Sequence, residues 1–192
     1  MLTVILVRPG ATSFDDDGRI KGTLDIPLSD CGITQAEKTA EQLVKTPIEC
    51  LYVSPCMSAQ QTAQVLIDKC GWKHKTVEEF KNLDQGLWQG KRIDEVRRQL
   101  PKVYKQYQDN PGAVCPPGGE TLEDAEERVK RTLVRLLKKH RQGVVGMVIP
   151  EPMASVVKHM LSSVEVGDMW KSCCDDGHWE AIQFVQGQVA LT

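Results

Sequence analysis

No apolar run in the sequence approaches the length of a membrane span, and no charged start with a cleavage site marks a secretory leader. Net charge is also nearly absent, −2 over 192 residues. The first two absences give an expectation of a chain that neither crosses a membrane nor loses a leader, with its first strand starting almost at Met1. The third leaves no global electrostatic reason to expect nucleic acid or an anionic membrane as partner. Cysteine is present but not as a disulfide framework. There are seven (Cys31, Cys50, Cys56, Cys70, Cys115, Cys173 and Cys174), and an odd count without a secretion signal points to reduced thiols in a cytoplasm. None is followed six residues later by arginine, so the cysteine-dependent phosphatase signature is absent. Histidine is scarce: only His74, His140, His159 and His178, and none ends a predicted core strand. Cys173 to His178 offers metal-capable side chains, but adjacent cysteines do not match spaced zinc pairs, so neither metal nor cofactor is expected.

What remains is ordinary for one domain with a large core: hydrophobic residues at 41% and charged residues at 26%. The strongest single stretch is Thr3 to Thr12. Its β-branched and aliphatic run reads as a strand buried on both faces. It stops at Arg8-Pro9-Gly10, where proline removes a ladder donor and glycine permits a sharp turn. An arginine at the carboxyl end of a central strand lies where open α/β sheets place their ligands.

Beyond a polar loop at 13–22, the pattern predicts a helix from near Ile33 to Lys45 and a short strand over Cys50 to Val53, ending at Ser54-Pro55. A helix through Thr62 to Ile67 is closed by Gly71. A loop from Phe80 to Gly90 leads to an amphipathic helical excursion on Ile93, Val96, Leu100, Val103 and Tyr107, interrupted near Pro101. Pro111 to Gly119 connects to a long helix from about Thr121 to His140, with Thr121 and Asp124 as a loose capping box. Val144 to Ile149 reads as the next strand, stopped by Pro150-Glu151-Pro152, and Met153 to Leu161 has helical character. Ala181 to Val185 and Val189 to Leu191 read as closing strands. The alternation gives an α/β domain with a mostly parallel sheet.

The opening stretch resembles that of the histidine phosphatase superfamily, the phosphoglycerate mutase-like proteins, in which a strand runs into Leu-Val-Arg-His-Gly-Glu-Thr. The resemblance covers nearly the whole chain in order. Gly10, Thr12, Gly22, Asp25, Pro27, Leu28, Gly32, Gln35 and Ala36 fit the first half. Ser54, Pro55, Thr62 and Ala63 fit a Ser-Pro-x-x-Arg-Ala-x-x-Thr-Ala segment; Gly86, Trp88 and Gly90 fit Gly-x-Trp-x-Gly; Gly118 to Leu122 fits Gly-Gly-Glu-Ser-Leu. The resemblance implies a single domain over 1–192, a three-layer α/β/α sandwich with a mostly parallel central sheet, and a cap-like insertion around 80–118.

The chemical positions run the other way. Where the resemblance calls for the histidine that becomes phosphorylated, Pro9 stands, with no lone pair to attack phosphorus. Pro150 replaces the second histidine and Ser58 the second arginine. Asn82 falls in register with the acid that protonates the leaving oxygen, and an amide cannot donate and recover a proton near neutral pH. For Asn82 a loop shift could bring Glu78 or Glu79 inward instead. Arg8 alone survives of the core set. Asp15 matches an asparagine that holds phosphate, beside Asp16 and Asp17, while Glu151 follows Pro150, so the centre has lost positive charge.

The first expectation is therefore a catalytically degenerate member, a pseudoenzyme with a binding or regulatory role. Its ligand positions would be Arg8, Gly10, Thr12, Asp15 and Gly22, and its partner an unidentified small molecule or protein, with a homodimer left open. The second is an active phosphomonoester hydrolase or mutase working through a non-standard group such as Cys56 or a repositioned Glu79. The third is metal-assisted chemistry on the acidic loop. Under the first, Arg8 needs a partner, a carboxylate such as Asp15 or Glu151 or a singly charged ligand, because an unpaired buried charge is expensive; internal pairing is the expectation.

Overall fold

The computed structural model describes residues 1–172 and 177–184. The elements follow the order β1 (Leu2–Val7), α1 (Ser13–Asp16), α2 (Asp30–Leu43), β2 (Ile48–Val53), α3 (Met57–Cys70), β3 (His74–Thr76), α4 (Ile93–Gln99), α5 (Pro101–Asp109), α6 (Leu122–Lys139), β4 (Gly143–Val148), α7 (Met153–Ser162), α8 (Met169–Ser172) and β5 (Trp179–Phe184). Among the described residues the sheet has five strands in the order β3-β2-β4-β1-β5. All neighbours are parallel except β5, which runs antiparallel to β1.

Alternation along the central strands makes the layers. Val4, Leu6, Tyr52, Val145 and Met147 join one core with Ala125, Val129 and Leu133 of α6 and Val156 and Val157 of α7. Ile5, Val7, Leu51 and Val53 join the other, with Ala40 and Leu43 of α2 and Ala59, Ala63 and Leu66 of α3. Side chains of a strand point to opposite faces, so a run that is apolar at every position requires helices on both. That is why the sequence reads as a continuous hydrophobic run rather than an alternating one.

The three central strands end level. Val7 pairs with Val148, and Val148 with Val53. The ladder runs one residue further, with Ile149 N donating to Val7 O at 3.0 Å and Ser54 N to Val148 O at 2.9 Å. Pro9, Pro55 and Pro150 then stop it. One edge of the sheet therefore brings together Arg8-Pro9, Ser54-Pro55 and Pro150-Glu151. The amino end of α2 docks beside this edge at van der Waals limit. A Cβ on Gly10 would lie 2.1 Å from Gly32 O, so no other residue fits there without moving backbone.

Helix ends follow the sequence signals. Ser29 accepts from Gly32 N at 3.2 Å and Thr121 from Asp124 N at 3.1 Å, each satisfying an orphan first-turn donor, and Gly71 closes α3 at φ 71°. The 80–118 excursion breaks between α4 and α5 at Pro101 as expected. It is held by an aromatic cluster of Trp88, Tyr104, Tyr107 and Trp170, in which Tyr104 and Trp170 stack at 5.0 Å. Arg128 of α6 also clamps it, binding the Glu120 carboxylate at 2.8 Å and the carbonyls of Glu79 and Lys81.

Three elements carry no clear sequence pattern. β3 is three exposed residues following Lys73, an edge strand whose lysines discourage further pairing. α1 occupies part of the expected polar loop, and α8 lies where no helix was expected. The Cys173 to Asp176 segment and the expected strand over Val189 to Leu191 lie outside the described residues.

Candidate functional site

Arg8 follows the last residue of β1 and is 4% exposed. Its Nε donates to Glu151 Oε1 at 2.6 Å, and its Nη1 lies 2.8 Å from Glu180 Oε1. The second contact is an ion pair bent out of hydrogen-bond geometry, since Nη1 and Glu180 Oε1 each remain without a hydrogen-bond partner among the described residues. Glu180 reaches Arg8 because β5 pairs Glu180 with Leu6, and its other oxygen holds Lys158 Nζ of α7 at 2.6 Å. Glu151 also accepts from Ser155 N at 3.1 Å. The result is a chain of alternating charge: Glu151, Arg8, Glu180, Lys158.

Burial and partners pull on these groups in opposite senses. Burial pushes the Glu151 carboxyl above the ordinary carboxylate range, against the pull of Arg8 and Ser155. Burial also opposes the charge on Arg8, but the Glu151 and Glu180 carboxylates outweigh it and hold the guanidinium above its ordinary value. For Glu180 burial is likewise overcome, by Lys158 and Arg8, and its carboxyl sits below the usual range. The two members of the Arg8–Glu151 pair thus point different ways. Guanidinium does not deprotonate in proteins, so Glu151 is the member that gives up its charge first.

Pro9, Pro150, Ser58 and Asn82 all serve the backbone or the core. The Pro9 carbonyl accepts from Gly177 N at 2.8 Å, and that of Pro150 from Ala154 N at 2.9 Å. Ser58, at the start of α3, lies 3.7 Å from Cys56 Sγ, which in turn accepts from Ser54 Oγ at 3.5 Å. Asn82 is 2% exposed and its amide is fully used. Nδ2 donates to Gly22 O at 3.0 Å and Glu151 O at 2.9 Å, while Oδ1 accepts from Leu83 N at 2.9 Å and Met153 N at 3.4 Å. Asn82 therefore ties the Gly22 turn to the start of α7, a role that needs two donors and that a carboxylate cannot fill. No loop shift brings a substitute inward: Glu78 is exposed, and Glu79 faces Arg135 of α6 at 4.0 Å.

The expected ligand positions are likewise occupied by the protein itself. Gly10 N donates to Thr62 Oγ1 at 3.1 Å. Thr12 donates from both its backbone N and its hydroxyl to Asp15 Oδ2 at 2.7 Å. Asp15 is not the partner of Arg8; its other oxygen holds Lys21 Nζ at 2.6 Å. Gly22, at φ 55°, presents its carbonyl to Asn82. Asp17 pairs with Arg19, and no group of three potential metal ligands occurs among the described residues. Sequence reasoning missed Glu180 and Lys158. A glutamate inside a buried-edge strand was the available signal, but its partner depends on the β1–β5 register.

Beside Glu151 lies a cavity of about 20 Å³, lined by Arg19, Lys21, Gln85, Tyr107, Pro152 and Trp170 among others. That is room for about one water.

Comparison with known proteins agrees with this architecture. Residues 4–192 match the histidine phosphatase superfamily (branch 1). The chain is 34% identical over 205 residues to phosphoglycerate mutase-like protein 4 of Arabidopsis thaliana, covering 95% of this chain and 89% of that one. It is 28% identical over 183 residues to phosphoserine phosphatase 1 of Hydrogenobacter thermophilus, covering 95% and 86%. Among solved structures, Bacillus stearothermophilus YhfR superposes with TM-score 0.84 at 21% identity, covering 99% of this chain and 96% of that one. A mycobacterial glucosyl-3-phosphoglycerate phosphatase, Rv2419c, in complex with VO3, superposes with TM-score 0.82 at 20% identity, covering 93% and 90%.

Proposed function

The chain belongs to the histidine phosphatase superfamily, and from that membership we propose that it is a member whose phosphotransfer centre has been dismantled, a protein that binds or regulates rather than turns over phosphate esters. One observation carries the reading: Pro9 follows Arg8 at the end of β1, so the position of the attacking imidazole holds a side chain with no lone pair. Pro150, Ser58 and Asn82 support it, because catalytic groups act as a unit and none of the remaining three is in place. Arg8 is neutralised from within by Glu151 and Glu180, so a phosphate dianion arriving at neutral pH meets a centre with no net charge to spare. Its ligand is a small molecule or a protein, and the odd cysteine count supports a cytoplasmic location.

Phosphate release from p-nitrophenyl phosphate, phosphoserine and 3-phosphoglycerate tests the reading, with background rates expected. Turnover abolished by Arg8→Ala overturns it. A second reading, an active hydrolase, has one observation in its favour, the half-buried Cys56 thiol between the Ser54 and Ser58 hydroxyls. Turnover lost with Cys56→Ala would establish that one. Pro9→His combined with Pro150→His is expected to fold but not to restore turnover, since Ser58 and Asn82 still lack charge and acidity.

A further inference from the structure

The same centre carries a regulatory consequence that rests on the internal pairing of Arg8. We propose that Glu151 is a built-in anion on Arg8 that yields to an external one, so that the centre is an oxyanion site opened by acid, taking up one proton on Glu151 for each anion bound to Arg8.

The geometry supplies the parts. Glu151 is the shorter of the two contacts to Arg8, 2.6 Å, with side chains 4% and 5% exposed. It uses only the Nε hydrogen of the guanidinium; Nη1 is buried and makes no hydrogen bond among the described residues. A guanidinium has five donors in a fork matched to oxyanions, and this one is under-used. Glu180 cannot replace Glu151 as the full counter-charge, because Lys158 shares it at 2.6 Å.

When Glu151 is protonated, Arg8 and Lys158 carry two positive charges against the single one of Glu180. The centre then has a net positive charge, fixed in a dry setting where it attracts an anion strongly. The neutral carboxyl has somewhere to turn, the small cavity that Glu151 itself lines. The charged groups facing that cavity already have their own carboxylates: Lys21 is held by Asp15 at 2.6 Å, and Arg19 lies 3.4 Å from Asp17. Among the described residues, Tyr107 and Gln85 line the cavity beside these groups and the Asn82 amide donates to the Glu151 carbonyl; none of the three is a carboxylate or an imidazole. His178 contributes only its carbonyl, to Arg8 N at 2.8 Å, and its side chain is exposed.

The direction of the Glu151 shift agrees. Burial raises its folded value above that of the unfolded chain. The folded protein therefore binds this proton at higher pH than the unfolded chain does. The gain from neutral Glu151 is fully present below the unfolded value and is lost as pH rises through the raised one.

Inorganic sulfate is the probe, because its charge does not change between pH 7.5 and pH 5, and titration calorimetry in buffers of different ionisation enthalpy counts the protons. The full-length protein is expected to bind sulfate about tenfold more tightly for each pH unit of acidification while Glu151 titrates, the limit for one coupled proton, with about one proton taken up per anion. Glu151→Gln is expected to bind equally at both pH values, at the acid affinity. The double variant Arg8→Gln, Glu151→Gln, in which neither charge is left unbalanced, is expected not to bind. Sulfate affinity independent of pH in the unmodified protein, binding without proton uptake, or binding retained by the double variant overturns the proposal. If Glu151→Gln fails to fold, the proton count on the unmodified protein still decides. Turnover plays no part in these readouts, so a failure here leaves the absence of catalysis standing, and the reverse.

Discussion

The two ends of the sheet bury polar groups by different means. At the carboxyl end, four charged side chains alternate in sign, Glu151, Arg8, Glu180 and Lys158, around a guanidinium 4% exposed. Toward the other end, where α6 leads into β4, a phenol, an imidazole and a carboxylate do comparable work. Tyr52 OH meets His140 Nε2 at 2.7 Å, and His140 Nδ1 meets Glu49 at 3.2 Å. Burial, with Cys50 and Glu49 beside it, pushes the Tyr52 phenol up to about 12, so it stays protonated throughout the neutral range. The imidazole of this second group belongs to His140, the C-cap residue of α6. A buried charge left alone costs several times what a buried hydroxyl does. The first end is accordingly the one whose integrity depends on every member and on pH, while the second is a local staple.

The comparison breaks most visibly at Arg8. Removing it in Arg8→Ala leaves Glu151 buried with no counter-charge and should cost about 3–5 kcal/mol, a fall in melting temperature on the order of 10 °C for a chain of this size. A melting curve at pH 7 unchanged from the parent would mean the ion pair contributes nothing to the fold. Asn82→Asp comes next. It replaces the two N–H donors of Nδ2 by a single oxygen set against the Gly22 and Glu151 carbonyls, and should cost about 2–3 kcal/mol in urea unfolding without conferring phosphatase activity. Gain of turnover in that variant would show the position still to be catalytic. The smallest effect belongs to the other end: Tyr52→Phe should cost about 1 kcal/mol and leave sulfate binding untouched at every pH.

The contrast also explains what could be read in advance. The strand ends before Pro9, Pro55 and Pro150 were legible because local rules specify a strand end: an apolar run, then proline. Helix boundaries were legible for similar local reasons at Thr121 and Gly71, whereas α2 starts at Asp30, ahead of the expected Ile33. β3 was not, since its three exposed residues have no apolar face to betray them. Neither was the duty of Asn82, whose four partners lie on three separate stretches of chain.

The sequence by itself determined the layered α/β core, through runs apolar on both faces, and the proline that ends β1 after Arg8. It also gave the expectation that Arg8 is paired, with a carboxylate such as Asp15 or Glu151 or with a singly charged ligand. Only the tertiary structure decided between them. Asp15 is three residues from Thr12 and close to Lys21, so short-range bonds consume it. Glu151 is 143 residues away in sequence and reaches Arg8 because β1 and β4 pair in register and end level. Glu180 arrives by the antiparallel pairing of β5. Electrostatic partnership depends on distance in space, and between residues this far apart only the packing of the sheet sets that distance.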